Sequence, residues 1–196
     1  MSNWPEIYVL RHGQTEWNAA KRHQGQQDSA LTPVGVGHAQ AQGRILKASL
    51  KAPEKLDFFS SPSGRAWQTA GHALTQFGRP VQPDARLMEV SFGLWEGLTD
   101  AEVDAEFPGN RIVTDVFDWH FTSPGGERLD HLVARTTSFL DDLTRPSILV
   151  LHGITSRVLR GVWLGLDRQG MSDIEGGQGN VFHLRDGAMT NLTEKP

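Results

Sequence analysis

The chain has no cysteine, which excludes disulfide bonds, thiolate catalysis and cysteine-ligated zinc. The lack of thiols also fits a reducing compartment, and we expect a cytoplasmic protein. The chain has no excess of positive charge either: its 196 residues carry a formal net charge of -4. Neither nucleic acid nor a membrane surface is therefore predicted as a partner, and any anion must bind at a local cluster of basic groups.

Long apolar stretches are missing as well. The purely apolar runs are only a few residues long, far short of a membrane span. Residues 1–6 show neither the basic start nor the apolar run of a signal peptide. No repeat or low-complexity tract divides the chain, so its length predicts one domain over residues 1–196.

Short apolar runs alternate with amphipathic segments, which is typical of an α/β domain. Buried strands are predicted at 7–10, 56–59 and 148–151. Helices are predicted after the capping residues Thr32, Ser63 and Thr99, and over 129–143 and 154–166. A hairpin is predicted over 181–192, turning at Asp186-Gly187. Residues 110–126 show no periodicity, and we interpret about 108–126 as a short lid insertion.

Two of the predicted strands end in similar residues. The strand 7–10 is followed by Arg11-His12-Gly13, and the strand 148–151 is followed by His152-Gly153. Continuously apolar strands are typical of parallel sheets, in which ligands bind beyond the carboxyl ends of the strands. Both histidines are therefore expected at one edge of the sheet, where each following glycine would let the backbone turn sharply and approach a ligand.

Arg65 is a further basic residue expected at this edge. It follows the strand 56–59 through a short turn and lies at a predicted helix start, where the helix dipole favours an anion. Arginine guanidinium groups match phosphate oxygens in a bidentate way. Arg11, His12, Arg65 and His152 together predict a site for a phosphate dianion.

The segment Leu10-Arg11-His12-Gly13-Gln14-Thr15-Glu16-Trp17-Asn18 resembles the signature of the histidine phosphatase superfamily, in its phosphoglycerate mutase-like branch. The resemblance extends in family order over nearly the whole chain. It includes Gln24-Gly25, Asp28, Leu31-Thr32, Gly35, Ser61-Pro62, Arg65-Ala66, Thr69-Ala70, Glu89, Phe92-Gly93, Trp95-Glu96-Gly97 and His152-Gly153. It implies a three-layer α/β/α sandwich with a mostly parallel sheet.

The resemblance also implies roles for single residues. His12 would be the nucleophile, while Arg11, Arg65 and His152 would hold the phosphoryl oxygens, His152 best as a cation whose pKa the bound anion raises. Glu89, with Glu96 as its nearest rival, would protonate the leaving oxygen and then activate water. Asn18, Gln24, Gly25 and Gly153 would complete the substrate-binding set. No metal or other cofactor is needed for this chemistry.

Three functions fit this set of residues. A phosphatase is favoured, because the lid is short and because residues 22–28 look more like the phosphatase members. A phosphoglycerate mutase-type phosphoryl transfer is the first alternative. A phosphate-binding module without turnover is the second, although binding alone would not need both a nucleophile and an acid.

The substrate class is predicted only as a small phosphorylated metabolite: a sugar, a sugar acid or a nucleoside-like intermediate. His23, His120, Trp17 and Trp119 are candidates for the mouth of the pocket. Lys21-Arg22 would form a solvated face or guide a second anionic group. Arg128 replaces the serine expected after Gly125-Gly126-Glu127, and its side chain would point to the pocket or to the helix surface. The oligomeric state stays open, with a homodimer as one option.

Overall fold

The computed structural model describes residues 4–110 and 117–194. Its described strands are β1 (Ile7–Arg11), β2 (Asp57–Ser60), β3 (Val81–Pro83), β4 (Ser147–Leu151), β5 (Val181–Arg185) and β6 (Ala188–Leu192). They form one sheet in the order β3-β2-β4-β1-β5-β6. The pairs β1–β4, β4–β2 and β2–β3 are parallel, whereas β5 pairs antiparallel with both β1 and β6.

Seven α-helices lie in the described part of the chain. They are α1 (Glu16–Ala19), α2 (Pro33–Ser49), α3 (Gly64–Leu74), α4 (Asp100–Glu106), α5 (Leu129–Asp141), α6 (Gly153–Leu164) and α7 (Arg168–Asp173). Short 3-10 helices occur at Pro53–Lys55, Thr75–Phe77, Ala85–Leu87, Gly93–Trp95 and Asp118–Phe121. Within these described residues, no helix is both long and apolar enough to cross a membrane.

Alternate residues of the central strands face opposite sides of the sheet. In β1, Tyr8 and Leu10 belong to the core packed under α2 and α3, whereas Ile7 and Val9 belong to the core under α5 and α6. Strand β4 alternates in the same way, because successive side chains of a strand point to opposite faces. The predicted three-layer sandwich with a mostly parallel sheet is confirmed.

The sequence patterns locate most of these elements but miss the shortest ones. Strand β2 begins one residue later than predicted, and β3, α1 and α7 were not expected because three to six residues show no clear periodicity. The Asp186-Gly187 turn is confirmed: both residues have positive φ, 52° and 75°, as a type I′ hairpin requires. Of the predicted lid insertion at about 108–126, residues 111–116 lie outside the described residues, and the insertion stays a prediction.

Helix capping agrees with prediction at two of three starts. Thr32 accepts a hydrogen bond from the Gly35 N–H, and Thr99 forms a capping box with Glu102. Ser63 occupies the capping position of α3, but its side chain makes no capping bond. The Asp28 carboxylate, from a distant loop, accepts the Arg65 N–H instead.

Gly13 and Gly35 allow the loop after β1 to contact the start of α2. A Cβ atom on Gly13 would overlap the Gly35 carbonyl, and one on Gly35 would overlap the Gln14 carbonyl. Gly13 does not adopt the left-handed conformation that only glycine accepts readily, and its N–H donates to the Thr69 hydroxyl. Glycine is needed at Gly13 because two backbone segments approach closely.

This contact predicts opposite effects for two alanine substitutions in α2. Gly35→Ala should lower the free energy of unfolding by about 1–3 kcal/mol, since the methyl group overlaps backbone. Gly37→Ala should raise it by about 0.5–1 kcal/mol, because no atom lies within 4 Å of its Cβ position and alanine favours helix. Urea denaturation of both variants measures the difference, and a Gly35→Ala protein as stable as the wild type would contradict the close approach.

Candidate active site

His12 and His152 lie side by side because β1 and β4 are parallel neighbours. The register pairs Arg11 with Leu151, and the His12 N–H donates to the Leu151 carbonyl at 2.9 Å. The ring centroids are 5.2 Å apart, and the two residues are 3% and 0% exposed. The predicted meeting of the two strand-end histidines is thus present in the structure.

The His12 ring is held with one nitrogen available for attack. Its Nδ1 lies 2.7 Å from the Gly13 carbonyl, so Nδ1 carries the proton and Nε2 keeps its lone pair. Burial, and then the charges of Arg11 and Arg65, lower the pKa of His12 well below 6.5. The imidazole is therefore neutral at neutral pH, which is the nucleophilic form.

His152 has one ring nitrogen with a partner and one without a partner among the described residues. Its Nε2 lies 2.8 Å from the Ser61 hydroxyl, while its Nδ1 is buried without a partner among the described residues. Burial, followed by Arg65, His12 and Arg11, lowers the pKa of His152 well below 6.5. The cationic form expected for this histidine therefore requires a bound anion, whose charge would raise the pKa.

Arg65 is fixed by the loop 25–28. Nη1 donates to the Gln27 carbonyl at 2.6 Å and to Asp28 at 3.0 Å, and Nη2 donates to the Gly25 carbonyl at 2.7 Å. The side chain is 1% exposed, yet Nε has no partner among the described residues. The loop therefore holds one edge of the guanidinium group and leaves Nε–H to another acceptor.

Arg11 completes the group of unpaired donors. Its Nε is buried and has no partner in the described part of the chain. A Cβ atom on Gly153 would lie 3.2 Å from the Arg11 guanidinium carbon, so the glycine after His152 leaves room for this arginine. Buried polar atoms are normally hydrogen-bonded. Arg11 and Arg65 line the same cavity as His12, and His152 lies against the His12 ring. Their unpaired Nε and Nδ1 atoms therefore fit an anion.

Most predicted site residues line a cavity of about 300 Å³. Those on its wall are Arg11, His12, Asn18, Gln24, Gly25, Arg65, Glu89 and Gly153. His152 lies against the His12 ring. The geometry thus brings together the predicted catalytic and substrate-binding residues, although it does not test their roles.

The Glu89 carboxylate is anchored at the N-terminus of α6. Oε1 accepts hydrogen bonds from the Thr155 N–H at 2.9 Å, the Thr155 hydroxyl at 3.0 Å and the Val90 N–H at 3.1 Å. Oε2 accepts one bond, from the Ile154 N–H at 3.2 Å. Oε2 is therefore the oxygen with capacity to carry and exchange a proton.

Glu96, the rival of Glu89, has a structural role. Its Oε1 accepts the backbone N–H groups of Gln26 at 2.9 Å and Phe92 at 3.0 Å, and it does not line the cavity among the described residues. It therefore connects the loop around Gly25 to the segment that follows Glu89.

Asn18 and Gln24 differ in what they can offer a ligand. Asn18 uses Oδ1 to accept the Thr15 N–H at 3.2 Å, which leaves its amide nitrogen as a donor without a partner among the described residues. Gln24 donates from Nε2 to the Thr15 hydroxyl at 2.5 Å and accepts from Ser29 at 3.3 Å. A phosphate contact by Gln24 stays a prediction, and the Gly25 carbonyl serves Arg65.

The remaining candidates separate into wall and surface residues. His23 and His120 line the cavity, and burial lowers the pKa of His120 to about 4. Trp17 and Trp119 are not among the described wall residues; the Trp119 ring stacks on His120 at 4.1 Å. Arg128 lies on the helix surface, 3.5 Å from Asp130, with 73% of its side chain exposed.

Several contacting residues were missed from the sequence. The sequence indicates Asp28 and Ser61 only as parts of the family resemblance. It predicts no role for Thr155 or for Gln178, although Gln178 donates a hydrogen bond to the His12 carbonyl at 3.0 Å. Arg157 and Arg160 line the cavity from α6. Two arginines among the apolar residues 158–164 and just before them are the signal that could have indicated these last two.

Comparison with known proteins gives consistent relatives. The sequence pattern of the histidine phosphatase superfamily (branch 1) matches residues 7–189. A glucosyl-3-phosphoglycerate phosphatase of Mycolicibacterium vanbaalenii is 34% identical over 202 residues, covering 97% of this chain and 87% of the relative. A 2,3-bisphosphoglycerate-dependent phosphoglycerate mutase of a Methylobacterium species is 31% identical, covering 82% and 88%. A mycobacterial glucosyl-3-phosphoglycerate phosphatase, solved with VO3, superimposes with a TM-score of 0.78 at 30% identity, covering 97% of each chain.

The lowered pKa values predict neutral histidines in the ligand-free protein. At pH 6.0 the imidazole ¹⁵N resonances of His12 and His152 should report neutral rings, and saturating inorganic phosphate should move His152 toward the cation. Because unfolded histidine protonates near pH 6.5, the free energy of unfolding should also fall as the pH is lowered through that value. Half-protonation of either ring near pH 6.5 without phosphate would contradict the effect of burial.

The contacts of Asp28 predict two effects of its removal. Asp28→Ala should lower the free energy of unfolding by about 0.5–2 kcal/mol through the lost cap on α3, and weaken vanadate binding about 10- to 100-fold by releasing Arg65. Asp28→Asn should restore part of the stability, because the amide oxygen can still accept the Arg65 N–H. The control is Asp130→Ala, an exposed acid in the first turn of α5. Unchanged vanadate affinity in Asp28→Ala would contradict this role.

Proposed function

The chain belongs to the histidine phosphatase superfamily, branch 1, and on this basis we propose that it hydrolyses a small phosphomonoester through a phosphohistidine on His12. The observation that carries the proposal is the set of unpaired buried donors on Arg11, Arg65 and His152 around a neutral His12 whose Nε2 is free. In a phosphoryl group, the charged oxygens would accept hydrogen bonds from these donors, and the phosphorus atom would be attacked by this nucleophile.

In the first step, Nε2 of His12 attacks phosphorus. The new N–P bond forms as the bond from phosphorus to the ester oxygen breaks, and Glu89 supplies a proton from Oε2 to the departing oxygen. The charge on the three equatorial oxygens is held by the Nε–H groups of Arg11 and Arg65 and by Nδ1–H of His152. The Nδ1–H of His12 stays on the Gly13 carbonyl and keeps the ring oriented.

In the second step, the product alcohol has left the cavity and a water molecule takes its place next to the phosphohistidine. Glu89, now ionised, takes a proton from that water as its oxygen attacks phosphorus, and the N–P bond breaks to return neutral His12 and inorganic phosphate. The same carboxylate thus acts first as an acid and then as a base. Its three bonds to Oε1 leave Oε2 for both proton transfers.

The substrate class follows from the relatives and from the size of the cavity. Relatives of this chain are phosphatases of glucosyl-3-phosphoglycerate, and a cavity of about 300 Å³ holds a small metabolite. We propose a phosphorylated sugar acid or a related small ester. The mutase relative supports a second candidate, in which a phosphoglycerate rather than water takes the phosphoryl group from His12.

The central test is His12→Ala, assayed against a panel of phosphomonoesters. Loss of the nucleophile should lower kcat by about 10⁴- to 10⁶-fold, as for other residues that act as a catalytic unit. The wild type should form an acid-labile, base-stable phosphohistidine that His12→Ala does not. His72→Ala is the matched control, since His72 is exposed on α3. Turnover that survives unchanged in His12→Ala would refute the mechanism.

Glu89→Gln distinguishes the proton-transfer role from a binding role. The variant should lose about 10²- to 10⁴-fold in kcat/KM, which reports the steps up to phosphoryl transfer to His12, for alkyl phosphates but much less for p-nitrophenyl phosphate, whose leaving group needs no proton. An equal loss on both substrates would contradict the acid role.

Wild-type protein that binds vanadate without any turnover would favour a binding module. Conversion of 3-phosphoglycerate to its 2-isomer faster than release of phosphate would favour the mutase.

A further inference from the structure

Five arginines line the cavity from different sides: Arg11, Arg22, Arg65, Arg157 and Arg160. The phosphoryl group that we propose accounts for Arg11 and Arg65 alone. The three others were not needed for the reaction described above. Their own contacts show which of them can still bind a ligand.

Arg22 and Arg160 are occupied by the protein. Arg22 donates to Glu102 at 2.7 Å and to the Gly97 carbonyl at 2.6 Å. Arg160 is 1% exposed, lies over the Phe182 ring at 3.7 Å, and donates to the Glu175 carbonyl at 2.9 Å. Both side chains therefore hold the fold around the cavity.

Arg157 is different. It is partly buried, and no carboxylate of the described residues lies within 4.0 Å of it. Its one hydrogen bond to the described part of the chain runs from Nη1 to the Ser172 carbonyl at 3.5 Å, the limit for such a bond. The cavity wall beside this guanidinium group includes Gly176 and Gly177, which have no side chains to cover it. A Cβ atom on Gly176 would lie 3.5 Å from Nη2 of Arg157.

The charges around the cavity are not balanced by a phosphoryl group alone. Arg22 is neutralised by Glu102 and Arg65 by Asp28, while Arg11, Arg157 and Arg160 have no carboxylate partner among the described residues. In the proposed first step Glu89 carries the proton that it donates, so the three positive charges of Arg11, Arg157 and Arg160 exceed the two negative charges of a phosphate dianion. One more negative charge on the substrate would complete the balance.

We propose that Arg157 forms a subsite for a second anionic group of the substrate, a carboxylate or a second phosphate carried by the same small molecule. This subsite rests on the proposed phosphatase function. Because the contact is made before and during reaction, it should act mainly on KM. The enzyme would thereby select acidic phosphomonoesters over neutral ones of the same size.

The effect of a second anionic group is tested with 3-phosphoglycerate and glycerol 3-phosphate. The two substrates differ only in that the first carries a carboxylate where the second carries a hydroxymethyl group. Wild-type kcat/KM should be about 10- to 100-fold higher for the acid, as expected for a charge-assisted hydrogen bond. Glycerol 1,3-bisphosphate tests whether a second phosphate is accepted in place of the carboxylate. Equal rates on all three would overturn the subsite and leave the phosphatase proposal intact, whereas no turnover of any phosphomonoester would overturn both.

Arg157→Gln should abolish this preference. Its kcat/KM for 3-phosphoglycerate should fall about 10- to 100-fold through KM, while that for glycerol 3-phosphate should change less than about threefold. Arg157→Lys should restore part of the preference, since it keeps the charge. Arg185→Gln removes an exposed charge outside the cavity wall and should behave as the wild type. Equal losses on both substrates, or a preference that persists in Arg157→Gln, would overturn the proposal.

Discussion

Strands β1 and β4 lie next to each other as parallel strands, and the register between them pairs Arg11 with Leu151. Both strands are buried between helical layers, so a slip of one residue would move every apolar side chain to the wrong face. The core packing therefore fixes more than stability. It sets the separation of His12 and His152, the first residues beyond the two strands, and the rest of the site is arranged around this pair.

The site concentrates positive charge on side chains that are buried. The Gln27 and Gly25 carbonyls accept hydrogen bonds from Arg65, and Asp28 is the one carboxylate among the described residues that contacts it. The neighbouring arginines and burial together keep His12 neutral, so the environment that attracts an anion also preserves the lone pair that attacks it. Attraction and reactivity thus have the same physical origin.

The sequence predicted the three-layer sandwich and the strands that lead to His12, Arg65 and His152. It could do so because buried parallel strands and the glycines that follow them leave strong local patterns. The close approach of Gly13 to Gly35 was not predicted, since no local pattern reports a distant backbone. The capping of α3 by Asp28 rather than Ser63, and the anchoring of Glu89 by Thr155, were missed for the same reason. Both contacts join segments that are more than 35 residues apart.

The anchoring of Glu89 has a consequence for how such a protein can diversify. Its carboxylate is fastened to the start of α6, the helix that also begins directly after His152 and carries Gly153 beside Arg11. The start of one helix therefore positions Glu89 and His152 and leaves room for Arg11. Segments that contact neither α6 nor the loop 25–28 can change in length and composition without disturbing these contacts. Evolution can in this way exchange one substrate for another while inheriting the chemistry unaltered.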